Sequence, residues 1–209
     1  MIVLSNLVAG YKGTPILKID HYEFQDGKIY GILGASGCGK STLLKTICGL
    51  IKPLSGSVNI DGETYKDVYH NPVYMMEQSA CNLGWKTCTE NVMFGKAKDR
   101  NKRKANRILE EVGLHALESS YPTQLSGGMN QRLAAARMLY VNPKFLLMDE
   151  PLSALDCGNR TSMQQLIIKY HRESNNTIIM VTHDQEEAKI MCDKILNLEE
   201  CVYGKKKHL

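Results

Sequence analysis

Gly34-Ala35-Ser36-Gly37-Cys38-Gly39-Lys40-Ser41, followed by Thr42, matches the pattern GxxxxGK[ST] in full. Its chemistry is phosphate binding. Glycines let successive backbone N–H groups curl around phosphate oxygens, and a helix that starts there directs its positive end at them. Lys40 supplies a cation for the terminal phosphates, and the Ser41 hydroxyl suits a bound Mg²⁺. A second constellation is Phe145-Leu146-Leu147-Met148-Asp149-Glu150. An apolar strand of this kind delivers Asp149 to the cation's shell. Glu150, one residue on, is placed to polarise an attacking water as a general base. A third is Leu125-Ser126-Gly127-Gly128-Met129. Glycines at a helix start make a further anion site, although a plain helix cap explains Ser-Gly-Gly equally well. One phosphate loop already serves one triphosphate, so a second such site needs another ligand or a ligand shared between two chains.

These residues need strands that end together. Residues 28–33, 144–148 and 177–181 are short apolar runs that read as buried strands. They end at the glycine loop, at Asp149-Glu150 and at Thr182-His183-Asp184. Further strands are predicted at 57–60, closed by an Asp61-Gly62 turn, and at 73–76 and 194–198. Helices are predicted over 40–50, 103–112, 157–172 and 185–192. The alternation predicts an α/β fold with a mainly parallel sheet, whose ligands sit beyond the carboxyl ends of the strands. Residues 83–139 differ in character, being mostly helical, with a charged stretch at 96–104.

Composition narrows the class. The chain has 209 residues, 43% of them hydrophobic, enough for a sizeable core. A net charge of +4 does not argue for nucleic acid. The Lys205, Lys206 and Lys207 cluster reads as a solvated tail, with contact to anionic lipid as the alternative. No run is long and apolar enough for a membrane span, and no signal peptide is expected. The 7 cysteines contain no CxxC pair, so reduced thiols rather than a disulfide framework are expected.

Taken together and in order, the motifs resemble those of ATP-binding-cassette (ABC) transporter ATPase subunits, and the resemblance covers nearly the whole chain. It implies a P-loop NTPase fold with a RecA-like parallel sheet, an inserted α-helical subdomain and an N-terminal antiparallel β subdomain. The whole would be one domain, with its core at 1–82 and 140–209 and the helical insertion at about 83–139. It implies ATP and Mg²⁺ as ligands. Tyr11 falls where the family stacks an aromatic on adenine. Residues 34–42 resemble the Walker A motif, with Gly34, Ser36, Gly37, Cys38, Gly39, Lys40, Ser41 and Thr42 around ATP. Gln78 resembles the Q-loop glutamine, which joins Ser41 and Asp149 at the metal. Ser126, Gly127, Gly128 and Met129 resemble the signature, which reads ATP held by a second subunit. Asp149 and Glu150 resemble the Walker B pair, Ser153-Ala154-Leu155-Asp156 the D-loop, and His183 the switch histidine at the γ-phosphate. Catalysis would fall to Glu150, His183 and Lys40. Each also has a plain reading: Tyr11 as a strand aromatic, Gln78 as a surface amide, His183 as a neighbour of a helix cap.

The partners implied are a second cassette, as a homodimer or a paired cassette, an integral-membrane permease and, indirectly, an external solute-binding protein, with no nucleic acid. The location implied is cytoplasmic, peripheral on the inner face of the cell membrane. Met129 stands where the signature has glutamine, and Asn130-Gln131-Arg132 follows. That variant, with Asn82 to Thr87 and Glu90-Asn91-Val92, resembles importers of the nitrate, sulfonate and taurine type, although Gly84 replaces the usual proline. Import of a small anion is therefore expected. The alternatives are an export or lipid-related cassette, a non-transport cassette acting on nucleic acid or ribosomes, and a binding subunit without turnover. The chain ends soon after its last predicted strand, and no regulatory C-terminal domain is expected. Cys38 reads as a small tolerated side chain or as a thiol whose modification blocks nucleotide.

Overall fold

The computed structural model describes residues 1–65, 71–95 and 100–204. The Lys205–Lys207 cluster and residues 96–99 of the charged stretch lie outside the described residues. In chain order the elements are β1 (Ile2–Tyr11), β2 (Thr14–Phe24), β3 (Ile29–Leu33), α1 (Lys40–Ile47), β4 (Ser55–Ile60), β5 (Val73–Met76), α2 (Cys88–Val92), α3 (Lys102–Glu111), α4 (Gly127–Val141), β6 (Phe145–Asp149), α5 (Cys157–Ser174), β7 (Thr177–Val181), α6 (Gln185–Met191) and β8 (Lys194–Asn197). They form two compact units. One comprises Met1–Met75, Lys144–Glu150 and Asn175–Leu209, the other Met76–Pro143 and Pro151–Ser174.

The first unit is built on a five-stranded sheet in the order β5-β6-β7-β3-β8. β3 pairs in parallel with β7 and β8, and β6 in parallel with β7. Every residue of β6 and β7 is buried, which is why both read as unbroken apolar runs. The strands end in step: Asp149 lies opposite Val181, and Val181 opposite Ile32. The segments leaving β3, β6 and β7 therefore emerge at one level. A second sheet, β2-β1-β4, is antiparallel. Its β1–β2 hairpin turns on Lys12 and Gly13, both at positive φ, the geometry that a two-residue hairpin loop requires. Buried positions in β1 run Ile2, Leu4, then Leu7, Ala9. The skipped step is a bulge at Asn6, φ 48°. A Cβ on the facing Gly56 would lie 2.2 Å from the Asn6 carbonyl oxygen, so only glycine fits there. Both sheets share one core with α1, in which Phe24, Tyr30, Leu43, Leu44 and Phe145 are buried.

The second unit is helical. α4 buries Leu133, Ala134, Ala135, Ala136, Met138, Leu139 and Tyr140, and α2 and α3 pack against it. α2 opens with a capping box: the Thr87 hydroxyl accepts from the Glu90 N–H, and the Glu90 carboxylate accepts from the Thr87 N–H. Besides the expected helical segment at about 83–139, this unit takes in residues 76–82, 140–143 and 151–174. Contacts from α4 explain the last of these: the Gln131 amide donates to the Pro151 carbonyl at 2.9 Å, and the Tyr170 hydroxyl donates to Asn142 Oδ1 at 2.5 Å. No disulfide joins the seven cysteines, all of them among the described residues.

Candidate functional site

The loop between β3 and α1 is held open by glycine conformations. Gly37 and Gly39 sit at φ 79° and 102°, in the left-handed region. A Cβ on Gly39 would lie 2.9 Å from Ile16 Cγ2 and 3.0 Å from Leu17 Cδ2, so β2 presses directly on the loop. Gly39 is the N-cap of α1, and no side chain caps the helix. The first-turn N–H groups are thus left to whatever anion the loop receives. Lys40 is buried, and its ammonium donates to the carbonyls of Gly34 and Ala35 at 2.8 and 3.0 Å. The side chain thus folds back onto the loop that precedes it. Cys38 is buried in the same loop, and its N–H donates to the Ala35 carbonyl at 3.3 Å.

Two carboxylates arrive from β6 and part company. Asp149 is 5% exposed and accepts a hydrogen bond from the Ser41 hydroxyl. Burial pushes its carboxyl above the ordinary aspartate range; the Ser41 hydrogen bond opposes that shift and the neighbouring Glu150 charge adds to it. Glu150 has φ 47°, and its N–H donates to the Val181 carbonyl at 3.0 Å. Its Oε2 lies 3.5 Å from His183 Nδ1, delivered by the end of β7. The structure therefore joins the expected residues in two pairs, Ser41 with Asp149 and Glu150 with His183. The donors of the first pair are hard oxygens, which fit Mg²⁺. Tyr11 ends β1 as an exposed residue, on the hairpin whose second strand presses against Gly39.

Gln78, Ser126 to Met129 and Asp156 belong to the second unit. Gln78 is exposed just beyond β5. Ser126 is the N-cap of α4, its hydroxyl accepting from the Met129 N–H at 3.3 Å. A Cβ on Gly127 would meet open space, whereas one on Gly128 would lie 3.3 Å from the Ala154 carbonyl oxygen. The Asp156 carboxylate accepts from the Asn159 N–H at 3.0 Å and from the Asn159 amide at 2.6 Å. Those two bonds, backbone first, hold its carboxyl below the ordinary range.

Two supporting residues have no role assigned from the sequence. Glu199 Oε1 accepts from the Ala35 N–H at 2.9 Å, bracing the phosphate loop from the chain's far end. Asn91 is fully buried, and its amide donates to the carbonyls of Leu83, Lys86 and Thr87 while its oxygen accepts from the Leu83 N–H. That clamp explains the asparagine of Glu90-Asn91-Val92, which the motif alone leaves without a role.

The sequence profile of the ABC transporter family matches residues 17–153. An aliphatic sulfonates import ATP-binding protein of Zymomonas mobilis is 39% identical over 203 residues, covering 97% of this chain and 84% of the relative. A taurine import ATP-binding protein of Shigella boydii is 36% identical over 203 residues, covering 95% and 79%. Among solved structures, a dimeric ATP-binding cassette in a post-hydrolysis state with ADP and Pi superposes with a TM-score of 0.84 at 30% identity, covering 95% of each chain.

Proposed function

The chain belongs to the ABC transporter family, and on that premise we propose that it powers the import of a small organic anion of the sulfonate class. It binds and hydrolyses ATP. The anion class comes from the relatives, which are import ATP-binding proteins for aliphatic sulfonates and taurine. The solute itself would be selected by a permease and an external binding protein, with this subunit peripheral on the membrane's inner face. No helix among the described residues is long and apolar enough to cross a membrane.

The proposed chemistry follows from the two side-chain pairs. The β- and γ-phosphates lie in the cradle of residues 34–42, with Lys40 turning from the Gly34 and Ala35 carbonyls to the phosphate oxygens. Tyr11 stacks on the base. Ser41 and Asp149 would hold Mg²⁺, which when bound neutralises charge on the phosphate oxygens. Glu150 takes a proton from water as its oxygen attacks the γ-phosphorus, and the bond to the β-phosphate oxygen breaks. His183, beside Glu150, contacts the γ-phosphate and fixes the base relative to it. Ser126, Gly127, Gly128 and Met129 serve the nucleotide of a second subunit, with Asp156 in the loop beyond, and the dimeric relative supports that arrangement.

The observation that carries this reading is the Glu150–His183 contact at 3.5 Å beside the phosphate loop. Glu150→Gln should bind ATP with unchanged affinity, abolish steady-state phosphate release and accumulate an ATP-bound dimer. Nucleotide titration, a phosphate-release assay and light scattering check the three parts. Phosphate release at the wild-type rate would remove Glu150 from the role of base.

A further inference from the structure

His183 has a positional requirement that its own side chain cannot meet. The imidazole is 69% exposed, so surrounding packing does little to hold it in front of Glu150. Its place must be set by the backbone on either side, and that backbone is unusually well tied. Thr182 is 2% exposed, and its N–H donates to the Ile32 carbonyl at 3.3 Å. The Thr182 hydroxyl donates to Glu187 Oε2 and accepts from the Asp184 N–H at 3.0 Å. The Asp184 carboxylate accepts from the N–H groups of Glu186 and Glu187 at 2.9 and 3.1 Å. A closed ring of hydrogen bonds thus runs from Thr182 to Glu187, with His183 at its exposed corner.

The start of α6 does not need this ring. Asp184 alone caps it, as the N-cap residue accepting two of the orphan N–H groups. Yet Glu187 is buried to 6% exposure, and a buried carboxylate is costly unless it is hydrogen-bonded. The Thr182–Glu187 bond goes beyond capping. It fixes the one residue before His183 against the helix after it.

We propose that Thr182 and Glu187 are positioning residues that hold His183 at working distance from Glu150 and the γ-phosphate. The proposal rests on the reading of His183 given above. A fixed histidine matters because misplacing a catalytic group by about 1 Å can cost on the order of a hundredfold in rate.

The test is a double-mutant cycle on the purified full chain, measuring kcat and KM for ATP by phosphate release and ATP affinity by titration. Thr182→Val removes the hydroxyl at constant shape. It should lower kcat between about tenfold and a hundredfold with KM and ATP affinity unchanged. Thr182→Ser keeps the hydroxyl and should restore most of the rate. In a His183→Ala background, Thr182→Val should add no further loss, because the residue acts only through that histidine. Losses that multiply in the double variant, a rise in KM alongside the fall in kcat, or a wild-type kcat in Thr182→Val would each overturn the proposal. A wild-type kcat in His183→Ala alone would instead overturn the reading of His183, and this proposal with it. Should Thr182→Val not fold, Glu187→Met, which removes the acceptor oxygen at similar length, carries the same cycle with the same overturning results, and Glu187→Gln, which keeps an acceptor, takes the place of Thr182→Ser.

Discussion

α1 begins on Gly39 at φ 102° with no side-chain cap, whereas α4 begins on Ser126 in extended backbone with its hydroxyl on the Met129 N–H. In sequence the two starts look alike, each a small residue and glycines ahead of a helix. Physically they differ. The glycines before α1 are there for conformation: Gly37 and Gly39 lie where other residues are strained, and no side chain caps the helix they lead into. Those of α4 are there for space. Gly127 and Gly128 are absent from the positive-φ residues; one faces open space and the other approaches the Ala154 carbonyl. A glycine that shapes a cradle and a glycine that clears a surface leave the same letter in the sequence and should respond oppositely to substitution.

Gly39→Ala gives the largest expected effect. It forces alanine to φ 102° and brings a methyl group to 2.9 Å from Ile16 Cγ2, so about 1–3 kcal/mol of stability should be lost. ATP affinity should fall at least about tenfold, the equivalent of 1.4 kcal/mol of distortion in the cradle. Thermal melts and nucleotide titration check both; full affinity would mean that the loop does not depend on that conformation. Ser126→Ala comes next. Loss of the cap should cost about 1 kcal/mol in chemical denaturation, with no change in the affinity of a single subunit for ATP. Gly127→Ala is the smallest. At a helical position facing open space it should stabilise the chain by about 0.5–1 kcal/mol. If α4 serves a second subunit's nucleotide, the same variant should slow turnover of the dimer, a split between stability and rate that a merely structural glycine would not show.

The same distinction between local and distant causes decides what can be read from the sequence. β6 and β7 are legible because burial on both faces leaves an uninterrupted apolar run, and the run at 177–181 coincides with β7. The phosphate loop is legible because contiguous backbone does its work. β1 is not, because the bulge at Asn6 breaks its alternation and the residue that accommodates it, Gly56, is fifty positions away by sequence number. The antiparallel sheet is expected from the family resemblance alone. Glu199 on the Ala35 N–H, Gln131 on the Pro151 carbonyl and Thr182 on Glu187 are side-chain contacts whose residue types and spacing carry no pattern. The candidate catalytic residues are readable as types at the ends of strands. Their pairing, Ser41 with Asp149 and Glu150 with His183, needs the register that brings those strand ends level.

Glu150 stands at φ 47°, a left-handed conformation that costs a residue with a Cβ about 1–3 kcal/mol. Glycine there would relax the backbone, so Glu150→Gly should melt at a higher temperature than the wild-type chain while releasing no phosphate. Selection for heat resistance alone would therefore drift toward inactive chains at this position. Any thermostable variant recovered from such a selection should be sequenced at residue 150 before its activity is trusted.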